Sequence, residues 1–337
     1  MQKSKSIPQK IFDYVKGNPI VVLLTVVCLI VGFTIPNFFS WGNFNNLAMN
    51  TSIRFIIALG VCGTLITKGT DLSAGRQVGL SACVAGALLQ RGDYTGRLFK
   101  SVPEINMWLV LLIVLCIGAI VGLVNGLIIS YLNVPPFIAT LGTQTIIYGT
   151  TLVFTDAQPI GGFQKKYIDF VTGKLFKGEK YPGLPYLLII AAIIGIIFWF
   201  IFNKTPHGKY MYAIGGNENA AEVSGVNTRK SKIIIYLTAG LMYSLAGFLL
   251  AGKTGGATSA MGNGYELEAI AGCTIGGVST TGGIGKVSGV LVGVLVFELL
   301  KIVLQFLGVN PYYNYIVQGI VIVTAVSLDI RKYVQKK

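Results

Sequence analysis

Residues Met107–Leu132 read MWLVLLIVLCIGAIVGLVNGLIISYL, without one charged side chain. At 1.5 Å rise per residue, a helix over this stretch spans about 39 Å, more than the ~30 Å of bilayer hydrocarbon. Apolar runs of similar kind flank it on both sides. They are Pro19–Ile35, Ile53–Thr67, Ala74–Leu89, Pro136–Phe154, Leu184–Phe202, Ile233–Gly252, Leu267–Val278, Val287–Leu307 and Tyr312–Leu328. Read as helices, they predict an all-α polytopic membrane protein of about ten spans. The spans Ile53–Thr67, Ala74–Leu89 and Leu267–Val278 are short, Gly-rich and interrupted by polar residues. Irregular backbone at membrane depth is tolerated only against protein or a watery cavity, so these three are expected at the centre of the assembly.

Composition agrees. Of 337 residues, 53% are hydrophobic and 12% charged, and mean hydropathy is +0.68. A soluble domain carries about 25% charged residues. This excludes a soluble enzyme, a secreted disulfide scaffold and a disordered chain. The five cysteines lie inside apolar segments, where Cys acts as a small hydrophobe, and none has metal-ligand spacing. The formal charge of +14 is spread over short loops and tails. That distribution fits membrane orientation and anionic headgroups rather than nucleic acid.

The first run follows Lys3, Lys5, Lys10 and Lys16, as in a secretory signal. It is long for one, lacks a small-x-small cleavage site, and is followed by the interfacial aromatics Phe38, Phe39 and Trp41. An uncleaved first helix is expected. With the N-terminus inside, Lys and Arg are in excess on the cytoplasmic side, above all in the tails and short loops, while Arg54 and Lys253 fall on the outer side. The chain then reads as one transmembrane unit, 1–337. It has a cytoplasmic tail at 1–18, an outer loop at 155–183, an inner loop at 203–232 and a second cytoplasmic tail at 329–337. No segment is large enough for a soluble motor or receptor domain.

Three stretches carry chemistry. GTDLSAGRQVGL, Gly69–Leu80, places Asp71 and Arg76 in membrane context, where charges are costly and tied to function or to each other. Asp71 and Ser73 stand where a helix begins and can cap it, and Gly75 and Gly79 let a neighbouring helix approach. A capped turn at the cytoplasmic surface fits the spacing equally. In GKYMYAIGGNENAAEVSGVNTRKSK, Gly208–Lys232, Asn217 is an N-cap, Glu218 lies in the first turn, Ala220 and Ala221 favour helix, and Gly225 stops it. This polar helix suits docking into a partner's groove, or simply ties two spans together. In YELEAIAGCTIGGVSTTGGIGKVSG, Tyr265–Gly289, Lys286 is followed by Val287 and the first glycine of a phosphate loop is replaced by Thr280, so no nucleotide site is read there. Glu266 and Glu268 are expected to cap the helix or face an aqueous vestibule, with Gly276 and Gly277 breaking it. Thr70–Ala74 and Tyr265–Ala269 form a weak internal echo. Glu298 and Lys301, three apart, share a helix face and read as a salt bridge directed into the bundle or as a transport pair. His207 is the only histidine and has no partner in the sequence for catalysis or metal binding.

GTDLSAGRQVGL, NVPPFIATLGT (Asn133–Thr143), AIGGNENAAEVSGVN (Ala213–Asn227) and YELEAIAGCTIGGVS (Tyr265–Ser279) occur in the order seen in the sugar-type permease subunits of bacterial ATP-binding-cassette importers, which the chain resembles over nearly its whole length. GVNPYYNYI (Gly308–Ile316) makes it most similar to the galactose/methyl-galactoside branch, with the ribose branch next. The resemblance implies a fold like the vitamin B12-type (type II) importer permeases in the inner membrane, with both termini cytoplasmic. It further implies a second copy of the chain, cytoplasmic ATPase subunits carrying ATP and magnesium, and an extracytoplasmic sugar-binding protein, with no cofactor on this chain. The family's coupling helix falls on Asn217–Ser224, making Asn217, Glu218, Ala220, Ala221, Glu222, Ser224 and Gly225 the candidate ATPase contacts. Asp71, Ser73, Gly75, Glu266, Glu268, Gly276 and Gly277 are the candidates for the translocation path or its helix breaks. The sequence departs from the pattern at Asn219, where Pro is expected, at Glu298 and Lys301, where uncharged residues are expected, and in the basic outer loop. The rival readings are a ribose or other pentose permease, and a motor-independent channel or carrier.

Overall fold

The computed structural model describes residues 26, 29–178, 182–310 and 312–334. After a helical stretch at 29–34, the helices are α1 Trp41–Ile66, α2 Ala74–Leu88, α3 Met107–Tyr131, α4 Pro136–Thr155, α5 Lys165–Thr172, α6 Tyr186–Lys204, α7 Pro206–Gly216, α8 Glu218–Val223, α9 Thr228–Thr254, α10 Tyr265–Ile275, α11 Val287–Phe306 and α12 Tyr313–Val334. A two-residue hairpin, β1 Lys174–Leu175 and β2 Leu184–Pro185, is the only sheet among the described residues. Six helices (α1, α3, α4, α6, α9 and α11) are long and apolar enough to cross a membrane. The count of about ten therefore depends also on the shorter α2 and α10, on α12, and on Pro19–Ile35. Most of Pro19–Ile35 lies outside the described residues, as does the 1–18 tail.

One predicted boundary needs correction. The second span begins at Trp41 rather than Ile53, so α1 is 26 residues long and is not a short helix. The segment WGNFNNLAMNTS reads as a loop because of its amides and hydroxyls. In the fold, Ser40 caps it by accepting from the Asn43 N–H at 3.2 Å, and Ser52 donates to the Ala48 carbonyl at 2.6 Å. Polar side chains that bond within their own helix no longer oppose burial. Arg54 consequently lies inside the bundle, on a transmembrane helix, and not in an outer loop.

The core is centred on α9, which packs against α1, α2 and α3. Gly118, Gly122 and Gly126 form a stripe on α3, and a Cβ at any of them would run into the backbone or Ser244 of α9. Without a hydrophobic drive between helices in lipid, such close approach supplies the packing energy. Gly122→Val is expected to destabilise the protein by about 1–3 kcal/mol, because its side chain would meet the Tyr236 carbonyl and the Leu237 backbone. Gly142→Ala on α4 meets nothing within 4 Å and should be neutral or stabilising. Thermal unfolding in detergent separates the two. The outer faces of α3, α4 and α6 expose Leu112, Ile120, Ile146, Val153, Ile196 and Phe200, as lipid-facing surfaces do.

As anticipated, α2 and α10 are enclosed by protein rather than presented to lipid. Nearly every residue of α2 is buried. Its polar groups are largely matched: Gln77 donates to the Gly118 carbonyl at 3.0 Å, and Ser81 and Ser244 share a hydrogen bond of 3.0 Å. α10 meets α11 through Gly272, Gly276, Gly289 and Gly293, whose backbones leave no room for a Cβ. Its C-terminus is closed by Gly277 at φ +83°, with the Gly277 and Val278 N–H groups bonded to Thr274 and Cys273 carbonyls. That is a Schellman stop, which needs glycine at the left-handed position.

The segment 155–178 is not a free appendage. Within it, α5 buries Tyr167 and Val171 against α9, where Tyr167 donates to the Phe248 carbonyl. Isolated bridges join Gln90 to Phe163 and Ile160 to Ala257.

Candidate functional site

Two constellations stand at opposite regions of the bundle. The first surrounds α7 and α8, at the N-terminal end of α9. α9 has 27 residues, so this end lies about 40 Å from its C-terminal end, which packs against α5.

The loop after α10 holds α7 in place. The Gly283 N–H donates to the Ile66 carbonyl at 2.8 Å, and the Tyr212 hydroxyl donates to the Gly285 carbonyl at 2.9 Å. Glycine-rich residues 282–285 are thus consumed in tertiary packing. From this base, α8 projects as a capped knob. Asn217, in extended conformation, accepts from the Ala220 N–H at 3.1 Å. Gly225, at φ +87°, ends the helix, with its own N–H and that of Val226 bonded to the Glu222 and Ala221 carbonyls. Ala221 is buried beneath, and Glu218 pairs with Lys232 of α9 at 2.5 Å. Outward face Ala220, Glu222 and Ser224, together with Val223, which is 90% exposed. Sequence reasoning missed Val223 and Lys232. A lone apolar residue in a polar capped helix was the signal for the former.

His207 lines a shallow cleft beside α8 with Tyr210 and Lys230, and partial burial lowers its pKa. Among the described residues, no three potential metal ligands come together.

The second constellation is a charge cluster shared by four helices. Glu298 and Lys301 of α11 do pair, at 3.2 Å, but they form half of a larger set. Arg54 of α1 reaches Glu298 at 2.5 Å and Glu268 of α10 at 2.7 Å through Nε. Lys301 reaches Glu268 at 2.5 Å, and Gln318 of α12 donates to the other Glu268 oxygen at 3.3 Å. Arg54 also lies over the Tyr265 ring at 4.6 Å. Glu268 therefore neither caps α10 nor stands in an open vestibule. Two cations and two carboxylates balance, which is how buried charge is tolerated.

The remaining sequence candidates are placed differently from expectation. Asp71 is 1% exposed and does not pair with Arg76. Its Oδ1 accepts from the Ser73 N–H at 3.0 Å and the Ser73 hydroxyl at 2.6 Å, and Asn125 donates to the Ser73 hydroxyl at 3.0 Å. Ser73 forms no side-chain cap on α2, because its hydroxyl is already committed to Asp71. Arg76 instead bonds Asn263 at 2.8 Å and stacks on Tyr148 at 4.0 Å. Gly75 and Gly79 admit the backbone of residues 259–262, not another helix. Glu266, above Gly75, is buried with Oε2 lacking a hydrogen-bond partner.

A search of known families matches residues 43–326 to the family described as branched-chain amino acid transport system / permease component. The chain belongs to this family. The permease is 46% identical over 340 residues to the galactose/methyl galactoside import permease protein of Haemophilus influenzae, covering 100% of the chain and 99% of the relative. Its identity to the Escherichia coli K12 protein of the same name is 47% over 327 residues, covering 96% and 97%. The ribose import permease protein of Escherichia coli K12 is 36% identical over 312 residues, covering 92% of each. No solved structure matches the permease.

Proposed function

We propose that this permease is the membrane-spanning subunit of an ATP-driven importer that moves galactose, methyl galactoside or a related monosaccharide inward. The sugar follows from the names of relatives that align over almost the entire chain at 46% and 47% identity, against 36% for the ribose protein. The mechanism rests on α8. A helix of six residues has no stability of its own, yet here it is capped, stopped by glycine, pinned by Glu218–Lys232 and left with an exposed outer face. Rigid attachment to α7 and α9 allows force applied to α8 to reach the bundle.

The partners in this reading are a second copy of the chain, cytoplasmic ATPase subunits that hold ATP and magnesium, an extracytoplasmic sugar-binding protein and the bilayer. Both termini are cytoplasmic, and α8 faces the cytoplasm of the inner membrane. ATP drives the cycle only if its binding differs between outward-open and inward-open states, and α8 carries that difference. The segment around Asp71–Gly75 and the short buried helix α10 with its break at Gly276 and Gly277 border the path, with Asp71, Ser73 and Gly75 setting its packing.

The test is the double change Glu218→Ala and Glu222→Ala in the assembled importer. Releasing α8 from Lys232 should abolish sugar-stimulated ATP hydrolysis while the subunits still copurify as an intact membrane complex. Unchanged hydrolysis would remove α8 from the coupling route.

A further inference from the structure

Beside the charge cluster lies a cleft of about 590 Å³, bounded by α1, α11 and the turn that follows α11. Its polar lining is Asn50, Arg54, Glu298, Lys301, Gln305 and Asn310. The sequence spacing explains why they converge. Asn50 and Arg54 are four apart on α1, and Glu298, Lys301 and Gln305 fall at i, i+3 and i+7 on α11, so each set occupies one helix face.

We propose that this cleft is a recognition site for a polyhydroxylated solute, and that Lys301 and Gln305, four apart on α11, bind adjacent hydroxyls of the transported sugar. The inference rests on the importer reading above and adds the residues that select the solute. A hydroxyl is both donor and acceptor, so it can donate to an amide oxygen while accepting from an ammonium or guanidinium. The cleft wall offers an ammonium, a guanidinium and the amides of Asn50, Gln305 and Asn310 within one small volume, with the buried Glu298 carboxylate behind them.

Position supports the same conclusion. α1 runs from Trp41 toward the α7–α8 end, where the Ile66 carbonyl meets Gly283, and α11 runs back from that loop. The cleft mouth at Gly308–Asn310 therefore lies toward the end opposite α8, where an incoming solute is delivered. A purely architectural ion-pair cluster has no need of an open space of this size beside it. Intramembrane charges are expensive, and they are kept where they meet a substrate or one another. This cluster does both.

The experiment compares galactose with its 2-, 3-, 4- and 6-deoxy derivatives in ATP-driven import by the complete complex in proteoliposomes. Wild type is set against the paired change E298Q/K301Q, which leaves Arg54 and Glu268 balanced. Because the same binding protein serves both complexes, its own preference cancels. For at least one deoxysugar, the wild-type penalty relative to galactose should be about tenfold greater than the variant's, as expected when a hydrogen bond to a charged group is lost only once. Gln305→Ala, exposed on the cleft wall and outside the ion pairs, should change the same ratio in the same direction if E298Q/K301Q does not reach the membrane. An equal reduction for all five sugars in both variants would overturn the site. Failure of the wild-type complex to import any of them would overturn the importer reading itself.

Discussion

Arg54→Leu should be the most damaging single substitution in the transmembrane core. The guanidinium neutralises Glu298 and Glu268 at 2.5 and 2.7 Å, and Glu298 is 1% exposed. Its removal leaves two buried carboxylates with Lys301 as their one remaining ion-pair partner among the described residues. Breaking a buried ion pair from one side costs about 3–5 kcal/mol, because the remaining charge is desolvated without compensation. Loss of monodisperse protein in detergent, or a large fall in its melting temperature, is the expected result. Adding Glu298→Gln to Arg54→Leu restores charge balance between Glu268 and Lys301, and should recover most of the loss. If Arg54→Leu alone melts like wild type, the cluster does not hold α1 to α10 and α11.

Val223→Asp should have the largest functional effect with the smallest structural one. Val223 is 90% exposed and at the C-terminal end of α8, so nothing in this chain depends on its side chain. If α8 docks into an ATPase groove, the valine is its apolar anchor, and a carboxylate there is buried without a partner. Interface anchors contribute about 2 kcal/mol or more, which is roughly a 30-fold weakening of the contact. Helix C-terminal ends also disfavour added negative charge. Copurification of the ATPase with the variant, and its ATP hydrolysis, should fall together, while the stability of the permease stays within about 0.5 kcal/mol of wild type. Wild-type copurification would place the docking surface elsewhere.

Much of the fold is legible because lipid imposes a simple rule on sequence. A stretch such as Met107–Leu132 has no reading except a spanning helix, and α3 occupies Met107–Tyr131. α8 is legible for a different reason: Asn217, Glu218 and Gly225 are local capping signals, and capping is decided within a few residues. The start of α1 is not legible, since Asn45, Thr51 and Ser52 look solvent-exposed until other helices enclose them. Long-range charge pairing is hidden for the same reason. Glu298 and Lys301 advertise themselves at i, i+3, but Arg54 and Glu268 are 214 residues apart and carry separate local readings, one as a loop cation and one as a helix cap. Only the packing of α1 on α10 and α11 turns them into a single cluster. Gly75 and Gly79 show the converse, where a helix-packing motif is used by loop backbone instead.

The most direct test of the whole account is uptake of labelled galactose into proteoliposomes containing this chain, with and without a cognate ATPase subunit, sugar-binding protein and ATP. Accumulation that requires all three is the predicted result. Downhill flux of galactose through this chain alone would contradict it, since a permease driven through α8 has no route for solute in the absence of its motor.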